Sequence, residues 1–156
     1  MKKMISYLTL FFVLFFAGCT NYSAVKNFKN DAYFANALQN TQKKDFLEND
    51  KVKFMFTATY LNPVSKEFNQ SNKSFIISIF EVNENSIDLK EISAKLNDGL
   101  ATSIKPLPKE HIMRDRLPLK NHWAKYFIIE FQNNDALTQM LELRYKNSTW
   151  LKLKFD

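Results

Sequence analysis

The chain has 156 residues, a formal net charge of +6, one cysteine and two glycines. That length suits one domain with one core, a lone cysteine excludes a disulfide framework, and two glycines leave no room for a glycine-rich phosphate cradle. Lysines alternate with Asp and Glu instead of gathering in a block, so the concentrated basic face of a nucleic-acid reader is not expected.

The chain opens with Lys2 and Lys3, continues through an apolar stretch from Met4 to Phe16 broken only by Ser6, Tyr7 and Thr9, and reaches the small pair Ala17-Gly18. This is the three-part layout of an export signal. The apolar run is shorter than the roughly 20 residues a permanent membrane helix requires. Directly after it stands Cys19, the only cysteine in the chain, in a position where an unpaired thiol has no structural use.

Phe16-Ala17-Gly18-Cys19 resembles the lipobox of bacterial lipoproteins, with phenylalanine where leucine is commonest. The resemblance covers the first twenty residues. It implies cleavage between Gly18 and Cys19, a diacylglycerol on the Cys19 thiol, acylation of the new amine by a fatty acid such as palmitate, and anchorage to a membrane facing the periplasm or exterior. Two or more acyl chains hold a protein stably where one does not. The residue after the cysteine is Thr20 rather than the aspartate associated with inner-membrane retention, and the resemblance therefore points to the outer membrane.

Residues 1–18 thus read as signal, 19–30 as a polar tether, and 31–156 as one domain. Removal of Lys2 and Lys3 lowers the formal charge from +6 to +4. Asn30 or Asp31 is a candidate cap for a helix over residues 31–47, whose thin apolar stripe includes Phe34, Ala37, Leu38, Phe46 and Leu47.

After Asp50 the apolar period becomes two. Val52, Phe54, Phe56, Ala58 and Tyr60 share one face of a strand that Asn62-Pro63 stops. Residues 74–82 form a second strand, apolar on both faces near its centre. Residues 87–96 and 101–107 are weaker strands separated by the turn signal Asn97-Asp98-Gly99. Residues 108–122, with Pro108, Pro118 and both histidines, read as a long, largely exposed loop.

Residues 123–131 form a strong strand, with Trp123 a candidate core tryptophan. Residues 137–145 and 149–155 make a hairpin about Lys146-Asn147-Ser148, with Leu141, Leu143, Tyr145, Leu151, Leu153 and Phe155 on one buried side. The expected fold is mainly β: an antiparallel immunoglobulin-like β-sandwich preceded by one N-terminal helix, with an antiparallel barrel as the alternative.

Catalytic chemistry lacks a constellation. Cys19 is committed to lipid, and His111 and His122 lie in the loop with Glu110 and Asp115, whose spacing matches no ligand motif. Glu110 and His111 are adjacent, so a regular element points them apart. Glu81, Glu84 and Asp88 flank a strand end, where acidic residues are ordinary. Tyr60, Tyr126 and Tyr145 suit an interface only if they line an exposed face. The expectation is a non-enzymatic, cofactor-free and metal-free envelope accessory or assembly factor. It is held to the membrane through acyl chains on Cys19 and binds a protein partner, not nucleic acid. A small-ligand or glycan-binding lipoprotein is the alternative.

Overall fold

The computed structural model describes residues 32–68, 72–82 and 87–156. The expected signal, Gly18, Cys19, the tether, the Asp31 cap and Glu84 lie outside them.

The helix is shorter than its sequence pattern suggests. Helix α1 is Ala32–Gln39, and strand β1 follows at Thr41–Glu48. The Asn40 backbone and side-chain amides both donate to the Asn36 carbonyl, at 3.1 and 2.9 Å, and the Thr41 hydroxyl donates to the Ala37 carbonyl at 2.6 Å. These bonds satisfy carbonyls that a continuing helix would otherwise use. The released chain pairs at once with β2 (Lys51–Tyr60), Thr41 opposite Thr59 and Phe46 opposite Phe54. Asn49 and Asp50, at φ 51° and 59°, form the hairpin turn between them. The expected helix over residues 40–47 is therefore corrected to an edge strand, in which only Phe46 stacks on the core, its ring 4.5 Å from that of Phe54.

The remaining strands are β3 (Asn72–Glu81), β4 (Ile92–Leu96), β5 (Gly99–Leu100), β6 (Ser103–Pro106), β7 (Lys125–Gln132), β8 (Gln139–Tyr145) and β9 (Leu151–Phe155). They form two antiparallel sheets, one in the order β1-β2-β3-β7-β6 and the other β5-β4-β8-β9. Leaving β1 aside, these orders match the A-B-E-D and C′-C-F-G sheets of the immunoglobulin sandwich. The domain is mainly β with that topology, β1 extending one edge.

Period-two alternation builds the core. Phe56, Phe75, Ile77, Ile79 and Ile129 from the first sheet, with Leu141, Leu143 and Tyr145 from the second, have no solvent-exposed surface. Edge-on rings join the sheets: Phe54 meets Tyr145 at 5.7 Å, and Phe75 meets Phe155 at 5.3 Å. Such pairs add about 0.5–1.5 kcal/mol beyond their buried area. Lys146 crosses between the layers and donates to both Glu81 carboxylate oxygens at 3.0 and 3.1 Å.

Trp123 is not a core residue. It precedes β7 and is 77 % exposed, while the interior of β7 is supplied by Phe127, Ile129 and Phe131.

Candidate functional site

The first sheet buries residues on both faces. Its outer face presents Ile76 from β3 and Tyr126 and Ile128 from β7, and a second apolar cluster forms there with Leu61, Leu107 and Leu117. The cover is the segment between β6 and β7. Most of it is exposed, as expected of a loop, but Leu117 is 3 % exposed and Met113 is partly buried against the cluster.

Local bonds give this segment a defined shape. The Leu107 amide donates to the Tyr126 carbonyl at 2.8 Å and the His111 amide to the Pro108 carbonyl at 3.2 Å. His111 Nδ1 then accepts from the Met113 amide at 3.3 Å and caps a one-turn helix α2, Ile112–Asp115. Further along, the Tyr126 hydroxyl accepts from the Asn121 amide at 2.8 Å and donates to the Asn121 carbonyl at 3.2 Å. The Asn121 side chain accepts from the Trp123 amide at 3.0 Å. One buried phenol thus closes the end of the loop.

Two clefts adjoin this cover. The larger, about 340 Å³, lies over β1–β3; Met55, Thr57, Ser78 and Phe80 line it with Pro118 and Leu119 of the loop. Thr57 pairs with Ser78 in register, and Ser78 with Tyr126, so a polar row crosses the sheet beneath it. The smaller, about 220 Å³, is lined by Lys109, Arg114, Lys120 and His122 with Asp115, Asn121 and Tyr126. The Arg114 guanidinium lies 4.1 Å over the Tyr126 ring, and Arg116 lies 5.2 Å over Tyr33 of α1.

The charge distribution corrects the expectation of evenly interleaved lysines. Residues 105–125 contain Lys105, Lys109, Arg114, Arg116, Lys120 and Lys125 against only Glu110 and Asp115, a net +4. The rest of the chain after residue 18 is formally neutral. Among the described residues none of these six cations forms a salt bridge. The same segment exposes Ile112 (63 %), Leu119 (43 %) and Trp123.

The residues singled out in sequence separate. His111 is occupied as a helix cap, whereas His122 and Asp115 line the smaller cleft. No group of three His, Cys, Asp or Glu side chains among the described residues is arranged to hold a metal ion. Glu81 is paired with Lys146, and Asp88 accepts from the Lys90 amide at 2.9 Å at the start of the 3₁₀ turn Leu89–Glu91. Tyr60, Tyr126 and Tyr145 are all buried. The tyrosines are thus packing and bracing groups, and the exposed aromatics among the described residues include Trp123 and Phe34. A running charge count along the sequence would have found the basic segment; nothing local to Arg114 signals that it stacks on a ring twelve residues away.

Compared with family models, curated proteins and solved structures, the chain matches none.

Proposed function

We propose that the protein is a lipid-anchored bacterial envelope protein, carried on the outer membrane by acyl chains on Cys19, and that it serves as a non-enzymatic accessory or assembly factor by holding a protein partner. The observation that carries the anchor is the lone cysteine directly after Ala17-Gly18 at the end of the apolar segment. For the partner, support comes from the larger cleft. Met55, Phe80 and Leu119 offer apolar contact beside the hydroxyls of Thr57 and Ser78, the mixture that protein interfaces use.

In intact cells, Cys19→Ala abolishes palmitate labelling and the lipoprotein-specific cut. A photoreactive side chain at Thr57 gives a discrete crosslinked protein, whereas one at Leu137, 96 % exposed on the β7–β8 connection, does not. Retained labelling of the alanine variant sinks the anchor. The cleft volume also falls within the range of small-ligand sites, about 300–1,000 Å³, which favours a glycan or small-ligand carrier as the second reading. Stoichiometric binding of such a ligand, blocked by Thr57→Trp, with no protein crosslink, would decide for it.

A further inference from the structure

We propose that the face formed by residues 105–125 is a membrane-contacting surface, with the smaller cleft seating the phosphate of an anionic phospholipid headgroup. Charge complementarity carries the argument. The whole formal excess of the chain beyond residue 18 is concentrated in this one segment, and none of its cations forms a salt bridge among the described residues. Lys109, Arg114 and Lys120 line the cleft together with His122, while Asp115 supplies its single carboxylate.

Arg114 is already positioned. Its guanidinium rests on the Tyr126 ring, and that ring is pinned through its hydroxyl by both backbone groups of Asn121. A guanidinium seated over a ring in this way loses little freedom when its planar fork takes a phosphate. A headgroup site also differs from one for a soluble phosphate in its surroundings. Ile112 lies two residues before Arg114 and Trp123 follows His122, so exposed apolar side chains flank the cations in the chain. Tryptophan beside lysine and arginine is the side-chain chemistry of the bilayer interface.

The orientation, though not the surface itself, rests on the reading of Cys19 as the anchor. Arg116 of the loop lies over Tyr33 in the first described helix, so the chain enters the domain beside the basic face. The thirteen Cα–Cα steps from Cys19 to Ala32 reach at most about 45 Å when extended. Acyl chains retain the protein; the basic face determines which side of the domain meets the bilayer.

The test uses the unlipidated mature chain, residues 19–156 with Cys19→Ala, so that its failure is separate from failure of the anchor, which palmitate labelling reads. Co-sedimentation is measured with phosphatidylcholine vesicles and with vesicles containing phosphatidylglycerol. Binding is expected only to the second, weakening as salt rises. Each surface cation contributes about fivefold to partitioning, so Lys109→Gln with Lys120→Gln lowers binding about 25-fold. Lys152→Gln with Lys154→Gln, which removes the same charge from the other sheet, leaves binding unchanged. In a Trp150→Phe background, Trp123 emission shifts to the blue on the anionic vesicles, and Trp123→Ala weakens binding without altering the near-ultraviolet circular dichroism of the tyrosines.

Three results overturn the proposal: no preference for phosphatidylglycerol, equal losses for the two lysine pairs, or saturable binding of glycerol 1-phosphate by protein that ignores the vesicles. The last would reassign the cleft to a soluble phosphate ester.

Discussion

The two outer faces of the sandwich handle charge in opposite ways. On the β5-β4-β8-β9 sheet the cations are matched where they stand: Lys152 meets Glu142 at 2.6 Å, and Lys95 and Arg144 each lie 4.7 Å from the Trp150 ring. That face alternates strictly, with β9 reading buried-exposed-buried-exposed-buried, as a sheet with one wet side does. The first sheet instead has apolar residues on its outside and a loop packed over them, whose cations form no salt bridge among the described residues; Arg114 and Arg116 rest on tyrosine rings. A face whose charges are already paired has little to offer a charged partner. The proposed headgroup site lies on the face that covers its apolar surface with a basic strap.

Leu117 is the point at which that contrast is easiest to break. Nearly buried in the second cluster, it ties the loop to the sheet, and Leu117→Ala should cost about 2–4 kcal/mol in urea unfolding through lost contact and residual cavity. The loop should also become the preferred site of limited proteolysis, while the hairpin of β8 and β9 stays resistant. Uniform loss of protection would show that the cover and the sandwich are one cooperative unit.

A second test distinguishes the tyrosines under the two sheets. Burial above all, then Glu81, pushes the Tyr145 phenol up to about 12, with the Lys146 ammonium acting in the opposite direction. In the unfolded chain the same group titrates near 10. The folded domain thus prefers the protonated phenol, and this contribution is complete below about pH 10 and lost as pH rises through about 12. Wild type should forfeit about 2–3 kcal/mol over that interval relative to Tyr145→Phe, read as diverging unfolding midpoints above about pH 10.

Smaller effects follow on the braced side. Tyr126→Phe keeps the ring under Arg114 but removes both bonds to Asn121, which should cost about 1–2 kcal/mol and speed hydrogen exchange at the Asn121 amide. Least of all, Lys154→Ala on the other sheet should leave the melting temperature within experimental scatter, because its ion pair with Asp156 is exposed at both ends and such pairs contribute little. A clear drop there would mean that the charge pairing of that face is structural.

Strands β2, β8 and β9 were legible because each presents an alternating apolar face. Phe54, Phe56, Ala58 and Tyr60 in β2, and Leu151, Leu153 and Phe155 in β9, are buried as their spacing requires. Strand β1 was not legible. Its sequence TQKKDFLE carries no alternation, since an edge strand with charged residues on both faces needs neither. Its turn, Asn49-Asp50, lacks the glycine that marks such hairpins in sequence. Trp123 misled for the opposite reason: it extends the apolar register of β7 backwards, yet Asn121 turns the backbone before the strand begins.

The sequence by itself determined the elements whose own period encodes burial, among them the hairpin of β8 and β9. Only the tertiary structure decided which face of the first sheet would be covered, that Leu117 would anchor the cover, and that Arg114 would settle on Tyr126 beside Lys109, Lys120 and His122. The reason is physical. Alternation along a strand reports one buried side, a local property of a backbone with period two, but the second apolar cluster exists only once β3 and β7 lie side by side.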